Sequence, residues 1–223
     1  MADWVTISSL ATAGGTLVLA VATFSSVKAG SRSARIAERS LLAGLRPLLI
    51  PSREDDPVEY VRFGDGQVLS VPGHGGAVLQ SDESIYMAIA LRNGGSGLAV
   101  LHAWHAEPRT DVRGVLDDAP DTEGFQRQQL DLYIPAGDTG FWLGRIRDPS
   151  TPNFERVRDG LRDGTPLQVD LVYGDHEGGQ RTITRFLLAH WSDQDAEHVD
   201  VGQADGRRAS VLRYWYPDGE DPR

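Results

Sequence analysis

The side chains most suited to metal binding in this chain are six histidines and the carboxylates near them. No HExxH motif, EF-hand loop or close histidine–carboxylate triad occurs. His102 and His105 are three residues apart in a predicted strand, so we expect them to face opposite sides of it. Asp175, His176 and Glu177 are consecutive and could hold a cation, but the ordinary polarity of a solvated hairpin turn explains them better. We therefore predict no metal site and no cofactor.

The usual nucleophiles and phosphate-binding loops are also missing from the sequence. The chain has no cysteine and no GxSxG motif, and the stretch GHGG at residues 73–76 lacks the lysine of a P-loop. We therefore predict no catalytic residues and no enzymatic activity. The alternative is an enzyme-like domain that binds a metal or another ligand through loop residues. Its site would be formed by His74, His102, His176 and Asp175.

The net charge of −10 is unevenly distributed along the chain. Residues 1–53 contain six basic and two acidic side chains and carry a net +4, so residues 54–223 carry −14. An acidic body of this kind repels the phosphate backbone of nucleic acids, and we predict no nucleic-acid partner. The absence of cysteine also excludes a small secreted fold held together by disulfides.

The elements that would position any site begin with an apolar run from Trp4 to Val27, which contains no charged residue. As a helix, this run would extend about 36 Å, enough to cross a hydrocarbon core of roughly 30 Å. A cleaved signal peptide is disfavoured because no basic residue precedes the run, and a buried helix of a soluble protein rarely stays uncharged for this length. We predict a transmembrane anchor over residues 1–27. Packing of this helix against neighbouring subunits of a larger assembly is the alternative.

Basic residues follow the run at helical spacing and set its orientation. Because positive side chains favour the cytoplasmic side of a membrane, we predict an N-terminus outside and the rest of the chain in the cytoplasm. Residues 28–46 are expected to form a basic juxtamembrane helix that ends at Pro47. Its cations either contact the anionic membrane surface or serve only as the orientation signal. The predicted membrane-surface residues are Lys28, Arg32, Arg35 and Arg39.

A stripe of small hydroxyl side chains runs along the predicted anchor. Such residues let helices approach closely and hydrogen-bond within lipid, so the stripe predicts self-association of the anchor. The alternative is that it only reflects a segment rich in alanine and threonine. Its members are Ser9, Thr12, Thr16, Thr23 and Ser26.

Residues 47–217 consist of short segments rich in β-branched and aromatic residues, separated by glycine, proline, asparagine and aspartate. Leu167, Val169, Leu171 and Tyr173 are expected to point one way and Gln168 and Asp170 the other, as in a strand. Residues 175–179 predict a hairpin turn. One short helix is expected at residues 153–162. About ten strands and a single helix predict a mainly β fold, an antiparallel Ig-like β-sandwich. A disordered tail is expected over residues 218–223.

Four stretches of turn and core residues carry a resemblance: SARIAERSLLAGLRPLLIPS, ALRNGGSGLAV, IPAGDTGFWLG and LVYGDHEGGQRTITRF. In these the chain resembles uncharacterised single-pass membrane proteins that are common in actinobacteria. The resemblance implies an N-terminal anchor followed by an Ig-like sandwich, and it brings no catalytic residues. We therefore predict a membrane-tethered, non-enzymatic β-sandwich that acts as an interaction or scaffold module. Its expected partners are membrane lipid, an unidentified protein and, through the anchor, a second copy of the chain.

Overall fold

The computed structural model describes residues 4–109, 119–178, 180–191 and 204–217. The chain divides into two compact units, Met1–Gly44 and Leu45–Arg223, and we call the second unit the β-body. The first unit contains helix α1 (Trp4–Gly44). The elements of the β-body are, in chain order, β1 (Leu49–Pro51), β2 (Glu59–Arg62), β3 (Val68–Val71), β4 (Gly75–Gln80), β5 (Ser84–Asn93), β6 (Ala99–Pro108), β7 (Gln126–Arg127), β8 (Tyr133–Ile134), β9 (Thr139–Arg147), α2 (Pro152–Arg162), β10 (Leu167–Gly174), β11 (Arg181–His190) and β12 (Asp205–Trp215).

Helix α1 is continuous, so the apolar run and most of the basic segment belong to one element. Its threonines are compatible with a helix because their hydroxyls bond to carbonyls one turn earlier. Thr12 Oγ1 donates to the Ser8 carbonyl at 2.9 Å, and Thr16 Oγ1 donates to the Thr12 carbonyl at 2.8 Å. The helix ends at Gly44, two residues before the predicted end at residue 46, and the predicted division after residue 27 lies inside it.

Within the described residues of the β-body, ten strands form one antiparallel sheet, and β2 pairs with β3 in a separate hairpin. The strand order is β1-β5-β4-β12-β11-β10-β6-β7, with β9 beside β5 and β8 beside β6. The sheet curls so that β9 approaches β6, where the Trp104 and Trp142 rings meet edge to face with centroids 5.3 Å apart. The prediction of a mainly β, antiparallel fold preceded by an N-terminal helix is confirmed. Its Ig-like strand arrangement stays a prediction.

The main core lies inside the curl and uses the alternation expected for residues 167–173. The side chains at 167, 169, 171 and 173 are all buried there. The Tyr173 hydroxyl accepts a hydrogen bond from the Leu49 N–H at 3.1 Å and lies 2.8 Å from Thr184 Oγ1. Burial raises the pKa of Tyr173, so this hydroxyl stays neutral and joins β1, β10 and β11 inside the core.

A second core lies beneath the β2–β3 hairpin. Val61, Phe63, Leu69 and Val71 of the hairpin region are buried against the outer face of β4, β5 and β9. The Phe63 ring meets the Tyr86 ring of β5 edge-on, with centroids 5.1 Å apart. The hairpin therefore shields part of the outer face of the sheet from solvent.

Helix α2 and the turn after β10 agree with the sequence-based predictions. Thr151 caps α2 by accepting a hydrogen bond from the Phe154 N–H at 3.3 Å, and Phe154 and Val157 are buried, which confirms the predicted short helix. The hairpin turn predicted at residues 175–179 is confirmed over the described residues 175–178, which follow β10 and precede its antiparallel partner β11. The turn between β5 and β6 needs glycine because a Cβ at Gly97 would overlap the Leu45 carbonyl oxygen. The predicted tail at 218–223 lies outside the described residues.

Candidate functional site

Helix α1 contains one stretch, Thr12–Glu38, that is long and apolar enough to cross a membrane. Its share of buried residues is 0%, and Leu17, Val21 and Phe24 are among its exposed large apolar side chains. Water is an unfavourable environment for so much contiguous apolar surface. The stretch is therefore a candidate membrane-spanning helix, and it overlaps the predicted anchor.

Three threonines of the hydroxyl stripe direct their protons into their own helix. In addition to Thr12 and Thr16, Thr23 Oγ1 donates to the Leu19 carbonyl at 2.8 Å. Ser26 is exposed on the helix, and the side chain of Ser9 lies outside the described part of the chain. These threonine hydroxyl protons are not offered to a second helix, so close approach through small side chains is what the stripe can contribute.

The predicted cations differ in their surroundings. Lys28, Arg32 and Arg35 are exposed on α1, while Arg39 lies on the same helix with its side chain outside the described part. Arg46 follows the helix and packs within the β-body. Its Nε donates to Gln180 Oε1 at 3.1 Å, and its guanidinium lies 4.4 Å from the centroid of the Tyr216 ring. The basic helix therefore ends before residue 46.

The histidines do not converge as the ligand-binding alternative requires. Among the described residues, no group of three or more histidine, aspartate or glutamate side chains could hold a metal ion. His74 precedes β4 and contacts the Ser52 carbonyl through Nδ1 at 3.1 Å, whereas His102 lies on β6, with β12, β11 and β10 between those strands. Asp175 lies near His102, and burial lowers the pKa of that imidazole. His176 is exposed at the turn.

A β-bulge changes the expected relation between His102 and His105. Opposite Val172 and Tyr173, the register passes from Ala103 directly to Leu101, so His102 is the extra residue. The bulge interrupts the strict alternation on which the prediction of opposite faces depended. His102 and Phe125 line one cavity, and the His105 ring stacks on Phe125 with centroids 5.6 Å apart.

The outer face of β6, β10 and β11 carries a network of charged and polar side chains. Arg185 Nε and Nη2 donate to the two carboxylate oxygens of Asp170 at 2.7 and 2.8 Å, and the two residues are only 7% and 2% exposed. Gln168 Nε2 also donates to Asp170 at 3.0 Å, and Arg109 Nη1 donates to Gln168 Oε1 at 2.6 Å. The Arg185 guanidinium lies 4.9 Å from the centroid of the Trp215 ring. The Asp170–Arg185 pair is thus engaged on several sides and serves the fold.

A cavity of about 630 Å³ opens beside β9, and we call it the arginine cavity. Leu143, Arg145 and Arg147 line it and alternate along β9, so they share one face of the strand. Arg127 of β7 lines it from the other end of the curled sheet. Its remaining walls include three apolar side chains, Phe63, Trp104 and Leu130.

The three arginines of this cavity are not equivalent. Arg145 is held by an ion pair with Asp65 at 2.5 Å and by bonds to Ser84 Oγ at 3.1 and 2.9 Å. The Tyr86 hydroxyl donates to Asp65 at 2.7 Å, and this bond is the main reason that the pKa of Asp65 is lowered. Arg127 and Arg147 are exposed and have no ion-pair partner within the described ranges. The site therefore offers a positive potential to an anionic ligand.

The sequence contained a partial signal for this site. In the stretch FWLGRIR, arginines stand at alternate positions after Leu143, which predicts one cationic strand face. This pattern was not among the predicted sites, which were built on histidines and carboxylates. No local pattern places Arg127 nearby, because its position depends on the curl of the whole sheet.

Comparison of the chain with protein-family models, with curated proteins and with solved structures finds no match. The resemblance to actinobacterial single-pass proteins stays a prediction, and the function is argued from the geometry.

Proposed function

We propose that the chain is a membrane-tethered, non-enzymatic interaction module. Helix α1 would anchor it, and the β-body would bind a protein partner on the cytoplasmic side. The observation that carries this proposal is the exposed apolar stretch of α1 with exposed cations at its C-terminal end, including Lys28, Arg32 and Arg35.

The energetics of insertion support the tether. Apolar side chains at the centre of a span favour the bilayer, and the threonines of α1 cost little there because their hydroxyls are bonded to helix carbonyls. Cations that follow the span are held on the cytoplasmic side, where each gains about 1 kcal/mol near an anionic surface. Long lysine and arginine side chains also reach the headgroups from within the helix.

The absence of cysteine allows a direct test of tether and orientation. Single cysteines would be introduced as Ala2→Cys and as Asp82→Cys, the second in an exposed turn between β4 and β5. A membrane-impermeant thiol reagent is applied to intact and to lysed cells. We expect label on Ala2→Cys in intact cells, and label on Asp82→Cys only after lysis.

Ser84→Cys provides the matched control, because Ser84 lies two residues from Asp82 and is buried. It should stay unlabelled after lysis until denaturant is added, which shows that the β-body is folded. Label on Asp82→Cys in intact cells would overturn the cytoplasmic placement. Release of the chain from membranes by alkaline carbonate would overturn the span and favour a subunit of a larger assembly.

Self-association of the anchor is the second part of the proposal. Replacing both Thr16 and Thr23 with leucine puts larger side chains on the stripe. The double replacement should weaken association of the full chain in detergent micelles. Val18 and Val21 are exposed and lie on the side of an ideal helix that faces away from the stripe, so replacing both with leucine is the control. Equal association of both variants, measured by energy transfer between labelled copies, would mean that the stripe does not form the contact.

A further inference from the structure

We propose that the arginine cavity docks an extended acidic segment of a partner protein, which adds as a strand to the open edge of β9. This inference rests on the proposed function and names the class of partner that the interaction module would bind. It is carried by the backbone of β9, by the charges around it and by the apolar walls of the cavity.

The outer edge of β9 is unpaired along part of its length. Within the part of the chain that the structure describes, β9 pairs with β5 alone. Gln128 Nε2 donates to the Leu143 carbonyl at 3.2 Å from the side opposite β5. Because backbone groups alternate in direction along an antiparallel strand, the N–H and C=O groups of Arg145 and Arg147 also point away from β5.

At its other end β9 lies close to β8, which limits the docking length. Ile134 of β8 packs against Gly140, where a Cβ would lie 2.8 Å from Ile134 Cγ1. Because the Leu143 carbonyl already accepts from Gln128, the open portion runs from Gly144 to Arg147. An added strand rises about 3.3 Å per residue, so a segment of roughly four residues would occupy this edge.

Charge complementarity selects an acidic segment. Residues 54–223 carry a net charge of −14, yet the arginine cavity brings together three arginines with one paired carboxylate, Asp65. Arg127 and Arg147 lack an ion-pair partner among the described residues and can pair with carboxylates of the incoming strand. An extended segment directs alternate side chains to opposite faces, so its apolar residues can contact Trp104 and Leu130 while its acidic residues meet the arginines.

Arginines at a strand edge also have a simpler use, since charged side chains prevent edge-to-edge aggregation. The two roles differ in outcome, because an edge that is only guarded binds no acidic peptide. Loss of the arginines would then promote aggregation and change no affinity.

The test uses the full chain in detergent micelles and a fluorescein-labelled peptide, Glu-Val-Glu-Val-Glu-Val, with binding measured by fluorescence anisotropy. We expect binding that weakens with added salt, and none by the matching Lys-Val peptide. Arg127→Gln and Arg147→Gln should each lower the affinity about tenfold, because each removes a charge-assisted hydrogen bond. Arg156→Gln, an equal charge change on the exposed face of α2, should leave the affinity unchanged.

A second peptide, N-methylated at alternate amides, separates strand addition from simple anion binding. Because alternate amides of an added strand point toward β9, strand addition predicts loss of binding when that alternate set is methylated and little change when the other set is methylated. Unchanged binding of the methylated peptides, or equally strong competition by glutarate, would overturn it and reduce the cavity to a small-anion site. Failure of every peptide to bind would leave only the edge-guarding role.

Failure of this inference can be told apart from failure of the proposed function. A photo-crosslinking residue is placed in cells at Leu130, in the arginine cavity, or at Tyr60, which is exposed on the β2–β3 hairpin. A partner crosslinked only from Tyr60 would keep the interaction module and overturn the cavity. No crosslink from either position, together with no peptide binding, would count against both.

Discussion

On the outer face of β10 and β11, Arg185 is almost fully buried and donates to both oxygens of Asp170. At the edge of β9, Arg147 is exposed and has no ion-pair partner within the described ranges. A buried guanidinium must be compensated, or the fold loses the free energy of desolvating it. An exposed one contributes little to stability. The comparison separates an arginine that the fold requires from one that is available to a ligand.

The largest effect should come from breaking the buried pair. Asp170→Ala leaves the Arg185 charge buried without its carboxylate, and the free energy of unfolding should fall by about 3–5 kcal/mol. Urea unfolding of the full chain in detergent micelles, followed by tryptophan fluorescence, measures it. Asp82→Ala, an exposed carboxylate in a turn, is the control and should change stability by less than about 0.5 kcal/mol.

Replacing both partners of the pair, as Asp170→Leu with Arg185→Leu, tests the reason for that loss. The double variant should recover most of the stability that Asp170→Ala loses, because no charge is left buried. An Asp170→Ala loss of less than about 1 kcal/mol would mean that the pair behaves like a surface pair, and the comparison would fail.

The helices and strands could be predicted from the sequence. The contacts between residues that are distant in the sequence could not. Alternation over residues 167–173 identified the buried face of β10, and the spacing of Phe154 and Val157 identified α2. These are local patterns, read over one strand or three helical turns. Asp170 was recognised as lying on the outer face, but its burial requires Arg185 from β11 and cover from Trp215.

The arginine cavity shows the same limit more strongly. Arg147 is in β9 and Arg127 in β7, and they meet only because ten strands curl into one sheet. The β-bulge at His102 was equally hidden, since an inserted residue leaves no sign in composition. Local periodicity therefore predicts strands and faces, whereas sites built across a curled sheet depend on its topology.

A smaller effect on stability is expected at Asp65, the carboxylate that pairs with Arg145 beside the cavity. Asp65 has a lowered pKa, mainly because the Tyr86 hydroxyl donates to it, so its stabilising contribution is present at neutral pH. That contribution is lost as the pH falls through the folded pKa, below 3.8. Asp65→Asn should therefore be less stable than the unaltered chain at pH 7, by less than about 1 kcal/mol, with the gap closing below about pH 4.

Urea unfolding of both chains across this pH range measures that gap. Asp82→Asn is the control, and its difference from the unaltered chain should not vary with pH in the same way. A gap for Asp65→Asn that widens on acidification would contradict the assignment, since it would mean that the protonated carboxyl is the stabilising form.

The smallest effect on stability is expected at the residue that matters most for binding. Arg147→Gln removes an exposed charge without an ion-pair partner in the described part of the chain, so the free energy of unfolding should change by less than about 0.5 kcal/mol. The same substitution should lower the affinity for the acidic peptide about tenfold. Replacing Arg185 should instead lower the free energy of unfolding, because it leaves Asp170 buried without its partner. If Arg147→Gln destabilised the chain by more than about 2 kcal/mol, the Arg147 guanidinium would stabilise the fold as that of Arg185 does. The contrast between Arg147 and Arg185 would then disappear.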